Sequence, residues 1–290
     1  MGNFTCHCSD DKFCETMNEL DSGSIQMHMK SFAEYLESTI DIQLFPFTRN
    51  IFHLPISQTV LSIWNSLPPF PYSGFLENLK WKTIKFSDSS IYQGEYRGLI
   101  PHGRGLLVSP DSNLTEGHWS EGELQGLGRT IYTTGDYYQG HYKHNKADGH
   151  GVHLSKSGVK YEGNWENELQ HGIGIETWPD GTEYKGEFEL GFKHGNGQFR
   201  WTDGSMYIGE FKKNEIHGKG CYKWSDGRYY IGEWAFSKMS GFGKFFWADG
   251  KVYEGEFRDD QKHGVGKVIM SDGRQCFGTW NKGKKVERFE

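Results

Sequence analysis

Glycine returns every 23 residues along most of this chain, and that constant phase limits the fold more than any other feature. Gly94, Gly117, Gly140, Gly163, Gly186, Gly209, Gly232, Gly255 and Gly278 are evenly spaced, with no insertion or deletion between them. Most stand at the centre of one five-residue pattern, as in Tyr92-Gln-Gly-Glu-Tyr96, Tyr161-Glu-Gly-Asn-Trp165, Tyr207-Ile-Gly-Glu-Phe211 and Tyr253-Glu-Gly-Glu-Phe257. Thr115-Glu-Gly-His-Trp119 and Cys276-Phe-Gly-Thr-Trp280 are worn copies. A second anchor runs in phase as His-Gly-x-Gly, with histidines at 102, 171, 194, 217 and 263, and a third is the Asp-Gly pair at 180, 203, 226, 249 and 272. A period of this length marks a stacked repeat architecture.

Each copy reads as two strands. In Tyr-x-Gly-x-aromatic the two rings and the glycine fall at i, i+2 and i+4, so they share one face of a strand. The glycine lets a ring lie over bare backbone. The stretches 195–201, 218–224 and 241–247 alternate in the same way. Asp-Gly tolerates positive φ and is read as a two-residue hairpin turn, with a longer connection before His-Gly. The expected fold is mainly β: an elongated, single antiparallel β-meander that grows by two strands per repeat and spans on the order of 85 Å at about 4.8 Å per strand.

Composition agrees. Glycine supplies 39 residues, and aromatics make up 16% of the chain against an apolar total of 35%, which suits ring-on-backbone packing and argues against disorder. The net charge of −6 sits wholly in residues 1–79, which hold nine acids and three bases; residues 80–290 carry 29 of each. A neutral array lacks the basic excess of a nucleic-acid binder. Five cysteines, three of them crowded at Cys6, Cys8 and Cys14, make no disulfide framework, so the reading is cytoplasmic. The apolar stretch 51–72 is broken by His53, Pro55 and Pro68-Pro69 and does not read as a membrane span, and the start does not read as a signal peptide.

These signatures resemble the MORN repeat family over residues 92–280. The resemblance implies a non-enzymatic scaffold or tether that binds proteins and self-associates, in the setting of a cilium or the cytoskeleton. No catalytic residue, cofactor or metal is expected. The five in-phase histidines would lie about 10 Å apart, too far to share a zinc ion that needs ligands near 2.1 Å; they read as turn-capping residues. His-Gly-x-Gly is not followed by a strand-to-helix transition, so it is no phosphate loop.

The aromatic face is the candidate contact surface. Trp178, Trp201, Trp224 and Trp247 form a stripe 23 residues apart, accompanied by Tyr184, Tyr207, Tyr230 and Tyr253. A sheet face of that kind is an interaction site when left uncovered.

Three regions follow: 1–26, a flexible segment; 27–78, a helical cap or docking region; and 79–290, a half-repeat plus about nine copies. Met29, Phe32, Leu36 and Ile40 have helical spacing, and Val60, Leu61 and Trp64 suggest a shorter helix ended by Pro68-Pro69. These helices are expected to close the bare edge of the first hairpin. The start, Met-Gly-Asn-Phe-Thr-Cys-His-Cys, resembles an acylation signal with Gly2 as myristate acceptor and Cys6 and Cys8 as palmitate acceptors. An unmodified tip, or a metal site of Cys6, His7, Cys8 and Cys14, are the other readings. Lys282, Lys284, Lys285 and Arg288 could add a patch for acidic lipids.

Overall fold

In the computed structural model, residues 54–72 and 79–288 are described. The segments 1–26 and 27–40, with the acylation and metal readings of the start, lie outside them. The described chain falls into two compact units, one within Thr39–Gly181 and one within Thr182–Glu290. The first holds helix α1 (Gln58–Ser66) and strands β1 (Lys80–Lys85), β2 (Ile91–Arg97), β3 (Ile100–Val108), β4 (Leu114–Ser120), β5 (Glu123–Ile131), β6 (Tyr137–Lys143), β7 (Lys146–Leu154), β8 (Lys160–Glu166) and β9 (Leu169–Thr177). The second holds β10 (Glu183–Glu189), β11 (Phe192–Arg200), β12 (Met206–Lys212), β13 (Glu215–Lys223), β14 (Tyr229–Ala235), β15 (Lys238–Phe246), β16 (Val252–Arg258), β17 (Gln261–Ile269), β18 (Gln275–Asn281) and β19 (Lys284–Arg288). Within each unit every strand pairs antiparallel with its neighbour in sequence. The fold is therefore mainly β, an antiparallel meander preceded, among the described residues, by one helix.

From β2 to β17 a seven-residue strand carrying the Tyr-x-Gly motif (Thr115-x-Gly in β4) alternates with a nine-residue strand carrying Gly-x-Gly. The surplus is absorbed by a bulge. Gly209 faces Gly220, but Phe211 faces Ile216, so His217, Gly218 and Lys219 oppose Glu210 alone. Gly218 takes φ +58° there, a conformation that costs a side-chain-bearing residue dearly. Glu210 Oε1 accepts the Lys219 N–H at 2.9 Å, and Glu187 does the same for Asn196. His-Gly-x-Gly thus builds a bulge inside a strand, not a turn; the histidines sit in that strand, from which His102 also caps a connection by accepting the N–H of Glu121 in the Glu121-Gly122 turn.

The two turn types are exchanged relative to the sequence reading. Asp203-Gly204 lies in a three-residue loop between Trp201 and Ser205: the Gly204 N–H reaches the Trp201 carbonyl at 3.1 Å and the Trp201 N–H the Ser205 carbonyl at 3.0 Å. The Asp203 carboxylate accepts the Ser205 N–H at 2.8 Å, which closes the loop without asking the aspartate for a positive φ. The tight two-residue connection is at the other end, Lys213-Asn214, where φ is +51° and +70°. Two left-handed non-glycine residues in a row are unfavourable, but this turn is tied to the preceding hairpin. The Asn214 N–H donates to the Lys193 carbonyl at 3.0 Å, and Asn214 Oδ1 accepts the Lys193 N–H at 2.8 Å. Asn145, Ser237 and Asp260 repeat this clamp.

In seven of the repeats the core is built around one tyrosine, with Thr115 and Cys276 in its place in the two worn copies. Tyr207 pairs with Tyr222 across β12 and β13, and its ring lies flat over the opposed Gly209 and Gly220. Its hydroxyl donates to the Glu210 carbonyl at 3.0 Å. The ring meets Phe211 edge-on at 5.2 Å and Trp234 of the next repeat at 5.6 Å. Tyr92, Tyr138, Tyr161, Tyr184, Tyr230 and Tyr253 make the same hydroxyl-to-carbonyl bond three residues on.

Helix α1 forms where Val60, Leu61 and Trp64 point to it. Ser57 caps it by accepting the Val60 N–H at 3.2 Å, and Leu67 ends it before the two prolines. Its placement differs from expectation. Val60 and Trp64, one turn apart, are buried against Leu106, Val108, Leu114 and Ile131, so the helix covers the sheet face opposite the tyrosines. The edge of the first hairpin is taken by β1, which pairs with β2 from Lys80↔Tyr96 to Lys85↔Ile91. Under the helix lies an ion pair, Glu116–Arg129 at 3.0 Å, sealed by the Trp64 indole N–H on Glu116 (3.4 Å) and by Arg129 on the Pro68 carbonyl (3.1 Å).

Candidate interaction surface

The expected contact surface divides into two layers. Tyr184, Tyr207, Tyr230 and Tyr253 have no exposed surface and offer nothing to a partner; they are the core. Burial pushes the hydroxyls of Tyr207, Tyr230 and Tyr253 above the ordinary tyrosine range, Tyr253 to about 12, with a smaller push there from the nearby Glu256 carboxylate. The correction has a simple cause. Alternation places rings and glycines on one face, but does not tell whether a ring stands up from the sheet or lies down in the groove that a glycine pair opens.

The tryptophans are only partly buried. Each begins the three-residue loop, and Trp201, Trp224 and Trp247 stand two residues beyond a strand aromatic. In the 182–290 unit this produces a continuous row: Phe199–Trp201 at 4.5 Å, Trp201–Tyr222 at 5.1 Å, Tyr222–Trp224 at 4.6 Å, Trp224–Phe245 at 5.3 Å and Phe245–Trp247 at 4.6 Å. Successive rings are tilted by 37° to 52°, a herringbone that fixes every ring against two others. Trp178 occupies the same loop position in the other unit, where the Gly181 N–H closes on its carbonyl at 3.0 Å.

Cations lie over the rings. Arg228 is 5.6 Å from the Trp224 centroid, and Lys251 and Lys262 are 4.9 and 4.6 Å from that of Trp247. Burial first, and then the Lys251 charge, hold the Lys262 ammonium below the usual lysine range. The surface is thus a rigid aromatic ridge with a positive rim, suited to an extended or helical segment with apolar side chains and carboxylates. Sequence reasoning singled out the tryptophans but passed over Phe199, Tyr222 and Phe245, whose i, i+2 spacing from each tryptophan was the available signal.

The in-phase histidines do not converge. His171 and His194 each lie 3.3 Å from the carboxylate of Glu166 and Glu189, while His102 accepts the Glu121 N–H at 3.4 Å. Among the described residues no three His, Cys, Asp or Glu side chains are grouped as metal ligands.

A meander whose hairpins recur every 23 residues, each with a glycine pair and most with one buried tyrosine over it, defines a class of hairpin-repeat proteins. Within it, the chain belongs to the MORN repeat family, whose model matches eight copies at 92–114, 116–137, 138–160, 161–183, 184–206, 207–227, 230–252 and 253–273. The worn copy around Gly278 lies beyond them. Among curated proteins none matches the chain. Among solved structures it is similar to a mutant TCP10 domain of Danio rerio CPAP, at 12% identity over 72% of this chain and 99% of that one, with a TM-score of 0.41. It is also similar to the SAS-4 (dCPAP) TCP domain of Drosophila melanogaster in complex with a proline-rich motif of Ana2, at 12% identity over 74% and 99% of the two chains, with a TM-score of 0.32.

Proposed function

We propose that the protein is a non-enzymatic, cytoplasmic scaffold that binds protein partners through the aromatic ridge of β11–β16, in a ciliary or cytoskeletal assembly. The observation that carries this reading is the unbroken row from Phe199 to Trp247, half-buried and rimmed by Arg228, Lys251 and Lys262. Rings held in place lose little conformational entropy on binding, which is why aromatic anchors dominate interface energies. The repeats also place like residues at like positions, whereas catalysis needs one unique constellation. The placement in a cilium or the cytoskeleton rests on the family resemblance. The test is Trp201→Ser with Trp224→Ser: co-purifying partners should be lost while the β-sheet circular dichroism persists. Partners retained at wild-type level would remove the ridge from consideration.

A second reading is favoured by the first eight residues, Met-Gly-Asn-Phe-Thr-Cys-His-Cys. Here the chain is an acyl-anchored tether, with myristate on Gly2 and palmitate on Cys6 or Cys8 supplying the two signals that stable anchoring needs. Gly2→Ala in a chain tagged at its C-terminus should move fluorescence from membranes to the cytosol. An unchanged distribution eliminates the anchor.

A further inference from the structure

The cradle that holds α1 is present twice. Its floor is Val108, Leu114 and Ile131, with the Glu116–Arg129 pair beside them. At a distance of 138 residues, six repeat lengths, the chain places Phe246, Val252 and Ile269 beside a Glu254–Lys267 pair. These are the same strand positions: Leu114 opposes Ile131 as Val252 opposes Ile269, and Glu116 opposes Arg129 as Glu254 opposes Lys267. No other repeat combines two aliphatic residues at the first positions with an acid–base pair at the second. Glu254 and Lys267 lie 3.2 Å apart.

The two cradles differ in cover. Beneath α1 the ion pair is 1% and 6% exposed; at the second site it is 30% and 23% exposed, and no described residue outside the strands lies over it. The open face continues along the strands through Phe242, Val265 and Phe277, which are 51%, 58% and 49% exposed. On the first cradle the corresponding stretch is crossed by the segment that follows α1, where Tyr72 reaches the Gly105 carbonyl at 3.5 Å. Most exchanges between the sites keep the character of the residue (Phe246 for Val108, Val252 for Leu114, Lys267 for Arg129), but Lys244 stands where the first has Leu106, and its ammonium lies 3.8 Å from Glu254.

We propose that the face formed by Phe246, Val252, Glu254, Lys267 and Ile269 docks an amphipathic helix of a partner protein. Its buried side carries an aliphatic residue and a tryptophan one turn apart, as Val60 and Trp64 are in α1, and the indole N–H bonds Glu254. Its flank carries carboxylates, because Lys244 and Lys267 outnumber the one acid between them. An apolar stripe with a basic border takes a helix in this way, and complementary charge sets its orientation and arrival rate. The surface is on the opposite side of the sheet from the tryptophan ridge, so the two readings stand or fall separately.

The probe is a fluorescein-labelled peptide of residues 54–72, with a second version carrying Ser62→Glu and Ser66→Glu. Both are titrated against the full chain by fluorescence anisotropy. Saturable binding is expected, tighter for the acidic version and equalised by high salt. Val252→Asp or Ile269→Asp in the chain should weaken it about tenfold or more, and so should Trp64→Ala in the peptide. Trp201→Ser should leave it unchanged. Thermal melts of the two aspartate variants should match wild type, since both positions are only half-buried. Absence of saturable binding, or binding indifferent to Val252→Asp, overturns the proposal. So does a dimer that Val252→Asp dissociates, because a second copy then holds the face. So does tighter peptide binding after Phe32→Asp with Leu36→Asp, because the chain's own leading segment then holds it.

Discussion

A tyrosine ring pressed onto two glycines buries its hydroxyl, which donates to the carbonyl three residues ahead and, in Tyr207 and Tyr253, also approaches a histidine carbonyl at 3.4 Å. Burial penalises the phenolate, so the folded hydroxyls of Tyr92, Tyr138, Tyr161, Tyr207, Tyr230 and Tyr253 titrate above the unfolded value. The neutral form is the one the fold prefers. Their stabilisation is therefore complete below about pH 10, the ordinary tyrosine value, and drains away as pH climbs through the raised folded values, which for Tyr253 means about 12. Urea midpoints should stay level from neutral pH to about 9 and fall steeply above about 10. Tyr207→Phe should lower stability by about 1 kcal/mol through loss of the bond to the Glu210 carbonyl, and should soften the alkaline slope. A midpoint as steep for the variant as for wild type would mean that the buried hydroxyl does not drive the loss. That these tyrosines share a face with the glycines was legible from i, i+2 spacing. That they lie flat was not, because ring inclination depends on the room left by the opposite strand, and pairing partners are not written locally.

At the level of hairpin and helix, the division between legible and hidden is just as physical. Strand positions followed from alternation, and α1 followed from Val60, Leu61 and Trp64 ahead of two prolines. The turns were exchanged because Asp-Gly suits two different geometries, and the choice was made elsewhere. The bulge at His-Gly lengthens one strand of each pair, which leaves only two residues, such as Lys213-Asn214, for the return. The helix landed on a face rather than an edge because the half-repeat of β1 had already occupied that edge. Its seat can be tested through the ion pair beneath it. Arg129→Ala strands the Glu116 carboxylate under Trp64 and should cost about 3–5 kcal/mol in chemical denaturation. Glu116→Leu together with Arg129→Met should recover most of that loss, since apolar replacement of a buried pair is often close to neutral. A double variant as unstable as the single one would show that the pair contributes more than mutual compensation.

Over the length of the array each hairpin touches mainly the ones before and after it, through edge-on ring contacts such as Tyr207–Trp234 and Tyr230–Phe257. Stability in such a chain is a sum of local terms and nearest-neighbour couplings. A lesion should consequently stay local. Gly220→Ala drives a methyl group into the Tyr207 ring, an overpacking that costs about 1–3 kcal/mol. Hydrogen exchange should accelerate in β12, β13 and β14 and change little in β17 and β18. Uniform acceleration throughout the 182–290 unit would show that it unfolds as one block. The opposed glycines, Gly209 with Gly220 and Gly232 with Gly243, have one more effect. They are the only notch in each hairpin into which a tyrosine can settle, so sliding one strand by a single residue would lift the ring onto a side chain and turn the other face inward. The notch thus works as a detent. It rejects a one-residue misalignment wherever the tyrosine is present, and in the worn copy around Gly117, where Thr115 stands in its place, the side chains of Leu124 and Tyr142 fill the notch instead.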